Sequence, residues 1–379
     1  MVKSIYLDFE PLFHKKFLMR SSANEFKILP LANPSFDREQ IDINEIRKLS
    51  ALGLDQCPPE DRAVAWLCLL NIYPKDPLQW GSVKKEITKS YWAFVKDNEM
   101  EDWHTKNFPN QMQIVNFQLK RNDVMGIIHG DIVRTGRTIF FLPADPIPTD
   151  QPVCEADEFM YQFGRHARRL ERVLYTFASL NVGLGYMQGF NELVIPFYYV
   201  FYMALPFLNN DVELLEALTF QCLQTLLTET PLHELYTTTD QSSIIIHRLG
   251  EFTSLTSKHL PEVSRIIETL KIHPILYCFR WFNLLFCQEH DLPDIITIWD
   301  DLFAHFDTLI EFEFYIGLGH LNEIKSTLTP TNYGDTISAL QNMPEGMDLK
   351  KVLLFANKCW DIDHKVSPLA GVMRMFGKK

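Results

Sequence analysis

Two short polar stretches hold the residues best suited to chemistry. The first, IHGDIVRT, runs from Ile128 to Thr135. If it is helical, Asp131 and Arg134 lie one turn apart on one stripe, and the carboxylate can hold the guanidinium. An arginine oriented at the edge of a loop can deliver a fixed positive charge to another group. Taken alone the pair is a weak indication of function, because most such pairs are surface salt bridges.

The second stretch is a glycine-rich turn, NVGLGYMQGFNEL, at residues 181–193. Apolar residues recur at spacings of three and four before it, up to Leu180, and predict a long amphipathic helix. A largely apolar and aromatic run follows it to Leu208. A chain that ends a helix with glycines and exposes Tyr186 and Gln188 presents polar groups on a rigid support. An ordinary helix–loop–helix corner is the alternative interpretation.

Helical spacing dominates the rest of the chain. One helix is predicted to begin near Pro58-Pro59-Glu60 and to end before Pro74. After residue 209 one helix follows another, and each start carries Pro, Asn or Asp. The nearest approach to a strand, Thr138–Phe141, stands alone. The pattern therefore predicts an all-α fold.

Two groups of arginines receive structural interpretations. Arg62 and Trp66 lie four residues apart, so the guanidinium is predicted to lie over the indole at the rim of the core. The basic run from Arg165 to Arg172 is predicted to form a solvated helix face.

Composition excludes several functional classes. The chain has 379 residues, enough for a large core in two lobes or domains. Its net charge of −12 disfavours broad attraction to nucleic acid or anionic membrane. Seven scattered cysteines without a CxxC indicate neither a zinc ribbon nor a disulfide framework, and a reducing cytosol is expected. The longest uncharged apolar stretch, residues 193–208, is too short for a membrane span.

Familiar catalytic and metal-binding motifs are missing from the sequence. The glycines of the turn do not have dinucleotide-fingerprint spacing, and no GxxxxGK[ST], GxSxG or HExxH occurs. The twelve histidines are dispersed without metal-ligand spacing. We therefore expect no metal site.

The ordered set of motifs resembles the TBC domain of Rab GTPase-activating proteins, over roughly residues 45 to 345. The matching residues are Arg62 and Trp66; Ile128, Asp131, Arg134 and Thr135; Gly185, Tyr186, Gln188, Gly189, Asn191 and Leu193; Arg280 and Trp281; and Ile298, Trp299, Asp300 and Phe303. Gly136-Arg137 departs from the Phe-Pro that often follows in the family, so we expect a different backbone path there. Val182, Phe190 and Glu192 also depart but remove no group that the chemistry requires.

The resemblance implies an all-helical, two-lobed, V-shaped domain. It divides the chain into an N-terminal extension (1–45), an N-terminal lobe with both catalytic residues (46–208), a C-terminal lobe (209–365) and a basic tail (366–379). By the same resemblance, Arg134 is an arginine finger that neutralises charge on the β- and γ-phosphates of GTP. Gln188 is a second finger that orients the attacking water.

The resemblance also implies roles around the two fingers. Asp131 orients Arg134, Tyr186 and Gly189 shape the turn against the partner, and Thr135 and Asn191 support the site. Six further motif residues are interpreted as structural: Arg62, Trp66, Ile128, Gly185, Trp281 and Trp299. No cofactor of its own is expected, since GTP and Mg²⁺ arrive with the partner Rab.

The expected function is therefore activation of a Rab GTPase in trans, which regulates vesicle traffic, rather than an enzymatic activity of the chain alone. The expected location is the cytoplasm, with recruitment to endomembranes only through Rab partners and no transmembrane segment. Two alternatives stay open: a TBC-fold effector or scaffold that binds Rabs without activating them, and an unrelated helical interaction protein.

Overall fold

The computed structural model describes Leu31 and residues 40–103, 124–144, 162–237 and 241–364. In these ranges every regular element is helical, which confirms the all-α prediction. The α-helices are α1 (Ile43–Ser50), α2 (Pro59–Leu69), α3 (Trp80–Asp97), α4 (Val124–Arg134), α5 (Gly136–Ile139), α6 (Gly164–Leu180), α7 (Phe190–Met203), α8 (Val212–Glu229), α9 (Glu234–Thr237), α10 (Gln241–His259), α11 (Pro261–Thr269), α12 (Phe279–Asn283), α13 (Leu292–Ala304), α14 (Leu309–Ile324), α15 (Tyr333–Gln341) and α16 (Leu349–His364). Short 3₁₀-helices cover Pro77–Gln79, Pro231–His233, Pro274–Leu276, Phe306–Thr308 and Lys325–Thr327.

Several helices begin at the residues that the sequence indicates. α2 begins with Pro59 at its first position and ends at Leu69, before Pro74. Asp211 caps α8, and its carboxylate accepts a hydrogen bond from the Leu214 amide at 3.0 Å. α11 begins at Pro261. These starts follow from local chemistry, because proline lacks an amide hydrogen and aspartate satisfies a free one.

The predicted extension and tail fall largely outside the described residues. The tail (366–379) lies wholly outside them, and the extension is described only at Leu31 and residues 40–45. Leu31 and Ile41 are buried, and α1 begins at Ile43 behind an Asp42 cap. The end of the predicted extension therefore packs against the core.

An aromatic cluster joins the N-terminal and C-terminal parts of the chain. The rings of Trp66 on α2 and Phe303 on α13 meet edge to face, with centroids 4.9 Å apart. Phe197 on α7 lies 5.1 Å from Trp299 on α13. Aromatic pairs at such spacings add to the stability gained by burial. The hydrophobic core is therefore continuous across the predicted lobe boundary.

The prediction of a solvated basic face on α6 is wrong. Arg168 and Arg172 are buried. Arg172 donates to both carboxylate oxygens of Glu216 on α8, at 2.9 and 2.6 Å, and Arg168 pairs with Glu171 at 2.9 Å. Buried charges require such partners, because an unpaired one carries a large desolvation penalty.

The apolar stretch after Pro274 is more broken than its composition suggests. It forms one turn of 3₁₀-helix, the five-residue α12, and then a bend in which Leu285 and Phe286 have φ of 46° and 65°. The bend is held by the Phe286 amide, which donates to the Trp281 carbonyl at 2.8 Å. The strand-like Thr138–Phe141 also folds differently, since α5 covers its first half.

Among the described residues, no helix combines the length and the hydropathy needed to cross a bilayer. The same residues contain no group of three or more side chains placed to hold a metal ion.

Candidate functional site

Helix α4 carries the predicted arginine at its C-terminal end. Met125, Ile128 and Ile132 bury one face of the helix, which packs against α6. Asp131 is also buried, with 3% of its side chain exposed, whereas Arg134 is 68% exposed. A cation at this end of a helix is favoured by the helix dipole. The end of α4 is therefore anchored in the core, and the guanidinium is exposed.

A polar contact also joins α4 to α6. His129 Nδ1 lies 2.7 Å from Glu171 Oε1 on α6. The other carboxylate oxygen of Glu171 accepts from the Trp103 indole at 2.9 Å. Sequence reasoning missed Glu171, because nothing in the local pattern separates it from an exposed glutamate.

The Asp131 carboxylate ties both polar stretches together. Its Oδ1 accepts a hydrogen bond from Arg134 Nη2, and its Oδ2 accepts one from the Tyr186 hydroxyl at 2.8 Å. Asn191 Nδ2 reaches the Asp131 carbonyl at 3.5 Å. Burial raises the pKa of Tyr186, and the Asp131 charge raises it further, so the hydroxyl stays protonated and donates. One carboxylate thus orients the arginine and anchors the glycine-rich turn.

The turn requires its glycines. Gly185 and Gly189 have φ of 65° and 106°, in the region that favours glycine. A Cβ at Gly189 would lie 2.7 Å from Leu284 Cδ2, so the Leu284 side chain would have to move to admit it. Asn181 closes the other side of the turn, because its amide exchanges hydrogen bonds with Gln224 on α8 at 2.8 and 3.1 Å.

The turn, held in this way, leaves the Gln188 side chain exposed. Its side chain makes no hydrogen bond to any residue that the structure describes, so its amide is available to another molecule. Next to it, Gly189 is the N-cap residue of α7.

A cavity of about 210 Å³ opens beside Arg134. Thr135, Glu192, Arg280 and Gln288 are among the residues that line it. Burial raises the pKa of Glu192, a hydrogen bond from Gln288 opposes that rise, and the Asp131 charge adds to it. The polar lining lies directly beside the exposed guanidinium.

Most of the residues interpreted as structural lie away from solvent. Ile128, Trp281 and Trp299 are fully buried, and the Trp299 indole donates to the Leu285 carbonyl at 3.0 Å. Thr135 is buried, and its hydroxyl donates to the Ile132 carbonyl.

Arg62 does not stack on Trp66, so that prediction is wrong. Instead both side chains donate to Asp300 on α13, the guanidinium at 3.1 Å and the indole at 2.7 Å. The Leu54 amide donates to the same carboxylate at 2.7 Å. Arg62 also donates to Asp55 at 2.9 Å. The carboxylate draws the guanidinium away from the ring because a charge-assisted hydrogen bond is stronger than a cation–π contact.

Comparison with known proteins identifies the family. The model of the Rab-GTPase-TBC domain, RabGAP-TBC, matches residues 60–328. The chain belongs to this family. It is 32% identical to human TBC1 domain family member 13 over 368 residues, which cover 80% of this chain and 90% of that protein. It is 30% identical to a TBC domain-containing protein of Schizosaccharomyces pombe over 219 residues, 54% of this chain but only 34% of that protein.

A solved structure shows the same fold. The crystal structure of the Ypt/Rab-GAP domain of Gyp1p superimposes with a TM-score of 0.65, covering 87% of this chain and 95% of that domain at 21% identity. The resemblance to the TBC domain and its all-helical fold are therefore confirmed, and the chain is a TBC-domain protein of the Rab GTPase-activating family. The roles of individual site residues and the lobe boundaries stay predictions.

Proposed function

We propose that the chain is a GTPase-activating protein for a Rab-family GTPase and that it supplies Arg134 and Gln188 in trans. The observation that carries this proposal is the double use of Asp131, which binds both Arg134 and Tyr186. Two groups from stretches far apart in the sequence are thereby presented on one support. Asn191 and Thr135 support the same corner of the molecule.

The chemistry required of Arg134 is charge stabilisation. GTP hydrolysis depends on positioning and on neutralising charge at the transferring phosphoryl group. An arginine supplied in trans is worth roughly 10³–10⁵ in rate, or about 4–7 kcal/mol of barrier. Its planar group can bridge two oxygens, which a lysine cannot do. A guanidinium held by a buried carboxylate needs little rearrangement to act.

The chemistry required of Gln188 is orientation of water. Its amide can accept from the attacking water and donate to a phosphate oxygen. The turn that carries it is held by Gly185 and Gly189 and by the Leu284 contact, so the amide approaches from a fixed direction. Tyr186 and Gly189 shape the turn that faces the partner.

GTP and Mg²⁺ belong to the partner in this proposal, and the chain contributes no cofactor. The N-terminal lobe, residues 46–208, carries both fingers, and the C-terminal lobe, residues 209–365, supports them. The chain works in the cytoplasm and reaches endomembranes through its Rab partner, where it ends the GTP-bound state during vesicle traffic.

The test is single-turnover phosphate release from a panel of GTP-loaded Rabs. Wild-type protein is expected to accelerate one or a few of them, and Arg134→Ala to accelerate none. Arg265→Ala provides the matched control, because Arg265 is an exposed arginine on α11, outside the site. Its activity should equal that of the wild type.

Gln188→Ala refines the assignment. We expect it to reduce turnover more than binding, because Gln188 is exposed and takes no part in the core. A wild-type kcat in this variant would remove Gln188 from the mechanism. If wild-type protein binds a GTP-loaded Rab but accelerates none, the chain is an effector or scaffold and the proposal is wrong.

A further inference from the structure

The outer face of α4 is apolar where a surface helix is normally polar. Ile127 is 52% exposed and Val133 is 40% exposed. Gly130 lies between them on the helix surface. Arg134 is the one charged residue of α4 with an exposed side chain. Solvent-facing helix surfaces usually carry several polar groups, and an apolar surface beside a functional charge marks a contact site.

The fold gives no reason for glycine at position 130. Glycine within a helix costs about 1 kcal/mol relative to alanine. Gly319, by contrast, is explained by packing, since a Cβ there would lie 2.4 Å from the Val352 carbonyl oxygen. A Cβ at Gly130 would have one neighbour within 4 Å, Arg134 Nη2 at 3.9 Å. Nothing else among the described residues occupies that space.

The position of the guanidinium links this surface to the proposed activity. A long side chain on a helix points back over the preceding turn. Arg134 does so, and its Nη2 lies above Gly130. Nη2 also donates to Asp131, so a group that binds the other donors of the guanidinium lies close to the turn that contains Ile127 and Gly130. A side chain longer than that of alanine at position 130 would stand in its path.

We infer that Ile127, Gly130 and Val133 form a contact strip for the main chain of the GTPase segment that flanks its bound GTP. This inference rests on the proposed function and extends it to a specific contact. Arg134 binds the phosphates of GTP. The strip lets the GTPase segment that flanks these phosphates approach the backbone of α4 closely. Ile127 supplies apolar area at one end of the strip.

The experiment measures kcat and KM for a responsive GTP-loaded Rab with Gly130→Leu, Gly130→Ala and Gly250→Leu. Gly250 is the matched control, because it lies within α10 and a Cβ there would have no neighbour within 4 Å. Gly130→Leu is expected to lower kcat/KM at least about tenfold, mainly through KM. Gly130→Ala and Gly250→Leu should stay within about twofold of wild type. All three should melt at or above the wild-type temperature, because each replaces a helical glycine.

Ile127→Ser separates loss of contact from displacement of Arg134. The exposed side chain can be shortened without a core cavity, so KM is expected to rise while kcat is kept. Wild-type kcat/KM in Gly130→Leu would overturn the contact strip and leave the proposed function intact. The contact strip would also be overturned if Gly130→Leu lowered kcat but kept the wild-type KM and Ile127→Ser had wild-type kcat and KM. If wild-type protein accelerates no Rab, the proposed function fails and the strip fails with it.

Discussion

Two aspartates of this chain, Asp131 and Asp300, each accept hydrogen bonds from one arginine and one aromatic side chain, but the two arginines differ. Asp131 accepts hydrogen bonds from an arginine on its own helix and from the Tyr186 hydroxyl, 55 residues away in sequence. Asp300 accepts from Arg62 and from the Trp66 indole, 238 and 234 residues away. In each case a buried carboxylate joins an arginine to an aromatic donor and thereby joins distant parts of the chain.

The difference lies in the arginine. The Arg62 side chain is 13% exposed and is shared between Asp300 and Asp55. The Arg134 side chain is 68% exposed and has Asp131 as its only carboxylate partner among the described residues. The Arg62 guanidinium is largely buried by its contacts within the fold, whereas the Arg134 guanidinium is oriented by the fold and left exposed. Exposure of the guanidinium, rather than the presence of the ion pair, is therefore the property that separates the structural Arg62 from the proposed functional Arg134.

The largest expected effect comes from replacing each arginine by alanine. Arg134→Ala should lower the GTPase-activating rate by roughly 10³–10⁵ and leave the melting temperature nearly unchanged. Arg62→Ala should lower the melting temperature, because Asp300 loses its charged partner, and should keep activity while the chain is folded. Phosphate release and thermal unfolding, measured on the same preparations, check both. Equal losses of stability in the two variants would abolish the distinction.

Replacing Asp300 and Asp131, the carboxylate partners of the two arginines, tests the same difference between a structural and a proposed functional pair. Asp300→Ala should destabilise the fold by about 3–5 kcal/mol, because it breaks a buried ion pair. Asp131→Ala should cost about 1–3 kcal/mol, for the unpaired Tyr186 hydroxyl, and should remove most of the activation. Denaturant unfolding with single-turnover kinetics gives both quantities. Full activity in folded Asp131→Ala would show that Arg134 needs no orienting carboxylate.

The pH dependence of stability sharpens the description of Asp300. Burial raises its pKa to about 6, against the lowering effect of Arg62, and burial raises the pKa of Asp301 to about 6 as well. Between about pH 4 and 6 the folded chain therefore binds more protons than the unfolded chain. These two carboxyls should lower the free energy of unfolding as the pH rises through that window, by up to about 3 kcal/mol each.

Urea unfolding between pH 4 and 7 measures this slope. Asp300→Asn should remove roughly half of it, because Asp301 remains. An unchanged slope in the variant would show that Asp300 keeps an ordinary pKa.

The smallest expected effect is that of Tyr186→Phe. The change removes one hydrogen bond to Asp131, worth about 0.5–1.5 kcal/mol, and loosens the link between α4 and the turn. We expect activation to fall by up to about tenfold with little change in melting temperature. Tyr202→Phe is the control, because its hydroxyl makes no hydrogen bond to the described residues. Equal activity in the two variants would remove Tyr186 from the positioning of Arg134.

What could be predicted from the sequence was local. The starts of α2, α8 and α11 follow from proline and aspartate at the first positions, and the Asp131–Arg134 pair follows from a spacing of three on a helix. The pairing of Arg172 with Glu216, and the meeting of Arg62 and Trp66 at Asp300, join helices that are distant in sequence. No spacing rule specifies such contacts, so the burial of these arginines was not predicted.

The family resemblance supplied what local patterns could not. It placed Gln188 and Tyr186 in the same site as Arg134, although the link through Asp131 becomes visible only in the structure. The bend at Leu285 and Phe286 was missed for a related reason, because its hydrogen bonds depend on the packing of α12 and α13.

The donor count of Arg134 has a consequence for the approach of a phosphate. A guanidinium has five N–H donors, and in the described part of the chain Arg134 gives one to Asp131. The remaining donors can bind two phosphate oxygens while that bond stays in place. In the proposed mechanism, phosphate binding therefore needs no exchange of one anion for another, and the energetic cost of releasing the arginine from its own carboxylate does not enter the activation barrier.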